Sequence, residues 1–220
     1  MTRLAYPFTE KAVRALTAGE AVSVNGRIWT GRDRFHKHFA DGGKLPVDFR
    51  DGALFHCGPV VVNTAKGERR KVKEAKGERR KVKEAKGERR KVKGEEWKVV
   101  AAGPTTSVRE NPYEPAFIAA TGVRLIIGKG GMDAATLAAC RKHGAVYLQA
   151  VGGAAALAAA AVRRVTNVYF LEEFGAAEAC WEFEVADLPC VVAMDSHGVS
   201  LFDQVRAASQ ARFAELCPKA

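Results

Sequence analysis

The chain has 220 residues, 47% of them hydrophobic and 27% charged, which is enough for one sizeable domain with a core and excludes a disordered chain. No apolar run approaches the roughly 18 residues a membrane-spanning helix needs, and Met1–Glu10 lacks a basic flank before an apolar stretch, so we expect no secretory leader and a cytoplasmic location. The net charge of +10 suggests nucleic acid, but residues 65–94 hold 15 Lys and Arg against 5 Glu, while the rest of the chain holds 20 basic and 20 acidic side chains. The excess therefore belongs to one segment.

Thr9 can cap a helix with apolar positions at Ala12, Val13, Ala15 and Leu16, closed by Gly19. Ala21 to Thr30 alternates like a strand with a turn at Asn25-Gly26. Arg32 to Phe39 reads as a short polar helix, and Ala53 to Val62 as a strand. Three near-identical decapeptides follow, AKGERRKVKE at 65–74 and 75–84 and AKGERRKVKG at 85–94. Each has one β-branched apolar residue (Val72, Val82, Val92), too little to bury a face. With a strand predicted again at Trp97–Ala102, the repeat reads as a solvated loop at a hairpin tip. A basic nucleic-acid-binding module is the alternative reading; no aromatic residue interleaves the charges to stack on bases.

Helices are then expected at Pro115–Thr121, Asp133–Lys142 and Ala154–Val162, and strands at Val123–Ile127, Ala145–Ala150 and Pro189–Met194. Val165–Leu171 reads as extended, Trp181–Val185 alternates, and Leu201–Leu216 reads as an amphipathic helix. Strands alternating with helices in the second half argue for parallel βαβ units and an α/β domain. The five cysteines (Cys57, Cys140, Cys180, Cys190, Cys217) are widely spaced without a CxxC pair, and read as buried small hydrophobes, with no metal ligand set.

Three loops after predicted strands carry the unusual residues: Thr30 to Lys37, Gly103 to Arg109, and Gly128 to Met132. In α/β folds, ligands sit beyond the carboxyl ends of strands. Gly-rich and hydroxyl-bearing turns there expose backbone N–H groups to anions. Arg32, Arg109 and Lys129 add full positive charges. If they converge, they suit a small dicarboxylate, because guanidinium binds carboxylate bidentately. GKGG lacks the spacing of a nucleotide phosphate loop, and the Asp195-Ser-His-Gly198 turn lacks the context of a hydrolase triad. His56, inside an apolar strand, reads as a satisfied core histidine.

The motifs TGRDRFHK (30–37), FHCGPVV (55–61), GPTTSVR (103–109) and TGVRLIIGKGGM (121–132), with GAVYLQAVGGAAAL (144–157) and the stretch 170–202, together resemble the β subunit, or C-terminal domain, of class I iron–sulfur fumarases and L(+)-tartrate dehydratases. The resemblance implies a single domain over 1–220, with 65–94 inserted, of a swivelling β/β/α type with a mixed or parallel sheet. It implies a hydro-lyase β chain that is inactive alone, in a hetero-oligomer with an α subunit. That partner's three cysteines would hold a [4Fe–4S] cluster, whose open iron acts as Lewis acid on the substrate hydroxyl in the reversible hydration of fumarate to L-malate. By the same resemblance Thr105 is the candidate base, with Arg109 and Lys129 beside it as catalytic cations. Arg32 clamps the other carboxylate, with Gly31, Thr106 and Gly128 as further substrate contacts, and Asp33 and His36 orient the clamp. The Gly152-Gly153-Ala154 stretch looks more like the fumarase branch than the tartrate branch. Two departures stand out. The first motif ends His36-Lys37-His38 rather than HKR-like. Glu110 stands where the family usually has Met; a carboxylate there must face away from the anion site or pair with a base.

Overall fold

Four parallel strands set the frame of the molecule: β2 (Ala21–Thr30), β3 (Ala53–Phe55), β6 (Leu125–Gly128) and β7 (Val146–Ala150). The long β9 (Cys180–Met194) runs antiparallel to both β7 and β2, so the five strands close into a barrel. Closure leaves none of these five as a free edge. The parallel β1 (Thr2–Ala5) lies against β2, and the antiparallel β8 (Val162–Tyr169) against β9. The result is a mixed α/β single domain. The computed structural model describes residues 1–64 and 97–217; the basic repeat expected as a solvated loop lies outside them.

Side chains alternate between two cores along each barrel strand. Ala53, Phe55, Leu125, Ile127, Val146 and Leu148 belong to one cluster, and Leu54, Ile126 and Tyr147 to the other. The second cluster packs under α2 (Asp33–Ala40), α3 (Glu114–Thr121) and α4 (Ala134–His143). Phe35, Phe49 and Phe117 meet there edge to face, with ring centroids 5.4–6.0 Å apart. The remaining helices are α1 (Glu10–Arg14), α5 (Ala155–Ala161), α6 (Leu171–Phe174) and α7 (Leu201–Leu216). α1 is capped by Thr9 as expected, but it ends at Ala15 before Gly19.

Several expectations are corrected. Asn25-Gly26 is no turn: β2 runs through it with a bulge between Val24 and Gly26. Gly26 has φ +92°, and a Cβ there would sit 2.9 Å from Tyr6 Cβ. The buried Asn25 amide donates to the Leu4 and Ser23 carbonyls and accepts from Asp187 N–H, so its turn chemistry serves strand pairing instead. Ala53–Val62 is not one strand: Gly58-Pro59 separates β3 from β4 (Val60–Asn63). β4 pairs antiparallel with β5 (Trp97–Ala101), placing Asn63 opposite Trp97, so the flanks of the repeat do form a two-stranded ribbon. α7 has no buried residue: Phe202 at its start packs against the second core cluster, but Val205, Phe213 and Leu216 are exposed, so the expected amphipathic stripe does not continue along it. Cys217 is exposed, unlike the other four cysteines.

Candidate anion site and its buried network

The three motif loops lie together at the carboxyl ends of β2, β3, β6 and β7. Backbone hydrogen bonds stitch them. Gly31 N–H donates to Phe55 O at 3.0 Å, His56 N–H to Ile127 O at 2.7 Å, and Thr105 N–H to His56 O at 2.6 Å. Lys129 N–H donates to Thr105 O at 3.2 Å, and Ser107 N–H to Lys129 O at 2.9 Å. The GPTTS segment is thereby held as a short extra strand between the chain after β3 and the chain after β6, bridged at Cys57–Pro104 and Thr106–Lys129.

Arg32 and Arg109 do meet. One oxygen of Asp33, Oδ2, stands 3.2 Å from Arg109 Nη2 and 3.7 Å from Arg32 Nη2. The spacing of the two guanidinium groups therefore accommodates a carboxylate. Arg32 also pairs with Glu178 at 3.4 Å, and its side chain lies over Gly58, where any Cβ would overlap it. Arg32 and Asp33 are half-buried, whereas Arg109 is exposed. Thr105 is half-buried and Thr106 exposed. The Lys129 ammonium makes no ion pair among the described residues. Its stem lies near Gly152, and it joins the other site residues through its backbone. Gly31 and Gly128 are buried as walls: a Cβ at Gly31 would meet Phe35 and Leu54 within 3 Å, and one at Gly128 would overlap Ser107 Oγ.

His36 is wholly buried, and it heads a network that the sequence did not reveal. Its Nδ1 lies 3.0 Å from the Arg32 carbonyl, and its Nε2 lies 3.0 Å from Glu114 Oε2. His56 Nε2 reaches the same Glu114 oxygen at 3.0 Å, and His56 Nδ1 lies 2.9 Å from Ser107 Oγ. Tyr147 O–H donates to Ser107 Oγ at 3.0 Å. His56, Gly128 and Tyr147 fall on one face of three adjacent strands, and the missing side chain at Gly128 makes room for Ser107. His56 is thus the satisfied core histidine expected, but its partners are site loops. The only advance signal was its position at the end of a strand in the FHCGP motif.

Burial alone would raise the Glu114 carboxyl, but the two imidazoles outweigh it and hold it down at about 2. Burial would lower His36; the Glu114 and Glu110 carboxylates reverse that and hold it above its ordinary value. For His56 burial prevails, and its pKa is lowered. Glu110 is also buried, 3.2 Å from His36 Nδ1. Burial pushes it up to about 7 against the pull of His36, with Asp33 and Glu114 adding to the rise. The carboxylate at the family's Met position therefore faces a base, one of the two arrangements expected for it.

His36, His56 and Glu114 are the one group among the described residues whose ligand atoms gather as a metal site would, all within 4.8 Å. Both Nε2–Oε2 separations of 3.0 Å are those of hydrogen bonds. The cysteines do not fit an iron–sulfur cluster. All five are free, four are buried, and burial pushes the Cys57, Cys140, Cys180 and Cys190 thiols up, away from the thiolate form that ligates iron.

A family model described as fumarase C-terminus matches residues 2–77 and 91–205. A Geobacillus stearothermophilus protein named "Putative fumarate hydratase class I" is 39% identical over 209 residues, covering 95% of this chain and 35% of that protein. A Methanocaldococcus jannaschii protein named "Putative L(+)-tartrate dehydratase subunit beta" is 38% identical, over 94% of each chain. The L(+)-tartrate dehydratase subunit beta of Escherichia coli K12 is 30% identical, over 90% of this chain and 85% of that one. The chain thus spans about a third of the first relative and most of the other two.

Proposed function

The chain belongs to the fumarase C-terminus family, and we propose that it is the β subunit of a two-subunit [4Fe–4S] hydro-lyase that reversibly hydrates fumarate to L-malate in the cytoplasm. The observation that carries the reading is the meeting of Arg32 and Arg109 on one carboxylate oxygen at the mouth of the stitched loops. A four-carbon diacid would take one carboxylate at this pair. Backbone and hydroxyl groups of Gly31, Thr106 and Gly128 would line its path. Lys129 is half-buried and free of an ion pair among the described residues, which leaves its charge for a second anionic group. We assign the closed barrel to the swivelling β/β/α type on the same resemblance.

The chain's own part in the reaction is to hold both carboxylates and to move one carbon-bound proton. In the dehydration direction Thr105 would take the proton from the carbon next to the hydroxyl-bearing one, as hydroxide leaves and the double bond forms. A threonine hydroxyl is a weak base at neutral pH, so this role requires cationic neighbours to stabilise its alkoxide. Arg109 lies in the same loop, and the Lys129 backbone N–H donates to the Thr105 carbonyl, which sets the two residues side by side. Since the cysteines here do not fit a cluster, we place it on the α subunit.

The test is anaerobic reconstitution with the α subunit, iron and sulfide, following fumarate absorbance. The expected result is turnover by the complex and none by either chain alone; a folded, cluster-loaded complex that leaves fumarate and L-tartrate unchanged contradicts the reading. The E. coli relative carries a second reading, L(+)-tartrate dehydratase, and the ratio of kcat/KM on the two substrates decides between them.

A further inference from the structure

One set of donors satisfies every bond of the buried network. The Arg32 carbonyl and the Glu114 carboxylate can only accept. In that set His36 carries hydrogen on both ring nitrogens: Nδ1–H donates to Arg32 O, with Glu110 Oε2 3.2 Å from the same nitrogen, and Nε2–H donates to Glu114 Oε2. His56 donates Nε2–H to the same oxygen, so its bare Nδ1 accepts from Ser107 Oγ–H, which itself accepts from Tyr147. One end of this chain is the backbone of the residue that begins the guanidinium pair. The other is the residue two places after Thr105.

We propose that Glu114 is a positioning residue that fixes the Arg32 loop and the Thr105–Ser107 loop in one register, by accepting a hydrogen bond from each of two histidines on a single carboxylate oxygen. The proposal rests on the hydro-lyase reading for its kinetic consequence, though not for its geometry. The groups that face Glu114 and its imidazoles are the Arg32 carbonyl and Asp33 at the start of α2, Glu110 from the 3-10 turn Ser107–Glu110, Cys140 from α4 and Tyr147 from β7. His36 is the cation that Glu114 balances. Glu114 touches neither Thr105 nor the guanidinium groups. It acts through His36 and His56, and a displacement of either loop by about 1 Å is enough to cost roughly 10²-fold in rate.

The test substitution is Glu114→Gln, which keeps the shape and removes the charge. In the reconstituted two-subunit enzyme the variant should fold with an unfolding temperature near wild type, raise KM for the diacid and lower kcat, with kcat/KM reduced about 10²-fold. The full-length chain labelled with 15N at histidine should show both His36 ring nitrogens protonated at pH 7 in wild type and one bare in the variant. Folded Glu114→Gln with kcat/KM within twofold of wild type overturns the proposal. So does a bare His36 nitrogen in the wild-type chain, or a tightly held metal that is released by the substitution. If Glu114→Gln does not fold, Ser107→Ala cuts only the His56 arm and should still lower kcat; unchanged kcat there overturns the proposal. A wild-type complex without turnover defeats the hydro-lyase reading alone, because the histidine spectra decide the network independently.

Discussion

Of the buried carboxylates, Asp195 and Glu114 stand at opposite ends of the barrel, and their partners differ in kind. Asp195 follows β9 and is 2% exposed; its Oδ1 accepts from His197 and Val199 N–H at 2.9 Å, and its Oδ2 accepts from Ala18 N–H at 3.0 Å. Glu114, at the end where the parallel strands finish, is fully buried and held by two imidazoles. Backbone amides do not titrate, so Asp195 closes a turn and ties it to the segment before β2. Imidazoles do titrate, and the residues they steady carry the site's charges and hydroxyls. Burial of an acid does not mark a site; the chemistry of what holds it does.

The comparison can be broken most sharply by Arg109→Ala or Arg32→Ala. Each should reduce kcat/KM of the reconstituted enzyme by about 2–5 kcal/mol of transition-state stabilisation with folding nearly unchanged, measured as paired kinetics and thermal unfolding.

Next in size is the pH dependence set by Glu110. Its folded pKa of about 7 lies above the ordinary 4.5, so its contribution to stability is complete below pH 4.5 and lost as pH rises to about 7. Glu114 has the opposite sign. Held at about 2, it stabilises above pH 4.5, and that stabilisation is lost as pH falls toward 2. Glu110→Gln should remove a fall on the order of 2 kcal/mol between pH 4.5 and 7, read from denaturant unfolding at each pH. An identical pH profile for wild type and variant would contradict the placement of Glu110.

Asp195→Ala should cost roughly 1–3 kcal/mol of stability while leaving kcat/KM per folded molecule unchanged, which separates Asp195 from Glu114. Smallest of all is the replacement of residues 65–94 by a short turn. β4 and β5 are already paired at Asn63–Trp97, so closing the loop changes folding by about 1 kcal/mol or less and leaves turnover intact. A large loss of activity would instead make the repeat a subunit contact.

The legible parts of the fold were those where local signals agree. β6, α4 and β7 stand within a residue or two of their expected places, because short apolar runs alternate there with a helix capped by Asp133. The Asn25-Gly26 signal failed because pairing with the 15-residue β9 runs through it. The sequence shows β9 as two pieces, Trp181–Val185 and Pro189–Met194; in the structure pairing continues through the positive φ of Asp187 and through Pro189. In the site, the charged loop residues were visible as motifs. Glu114 and Tyr147 were not, because a helix-start glutamate and a strand tyrosine have innocuous explanations until the fold sets them against His56 and Ser107.

The account's central claim is that Arg32 and Arg109 act together on one diacid. The most direct measurement is a double-mutant cycle, Arg32→Ala with Arg109→Ala, on kcat/KM for fumarate in the reconstituted complex. The account predicts coupling: the second truncation costs clearly less once the first arginine is gone. Strictly additive losses, or an Arg32→Ala enzyme as active as wild type, would contradict it.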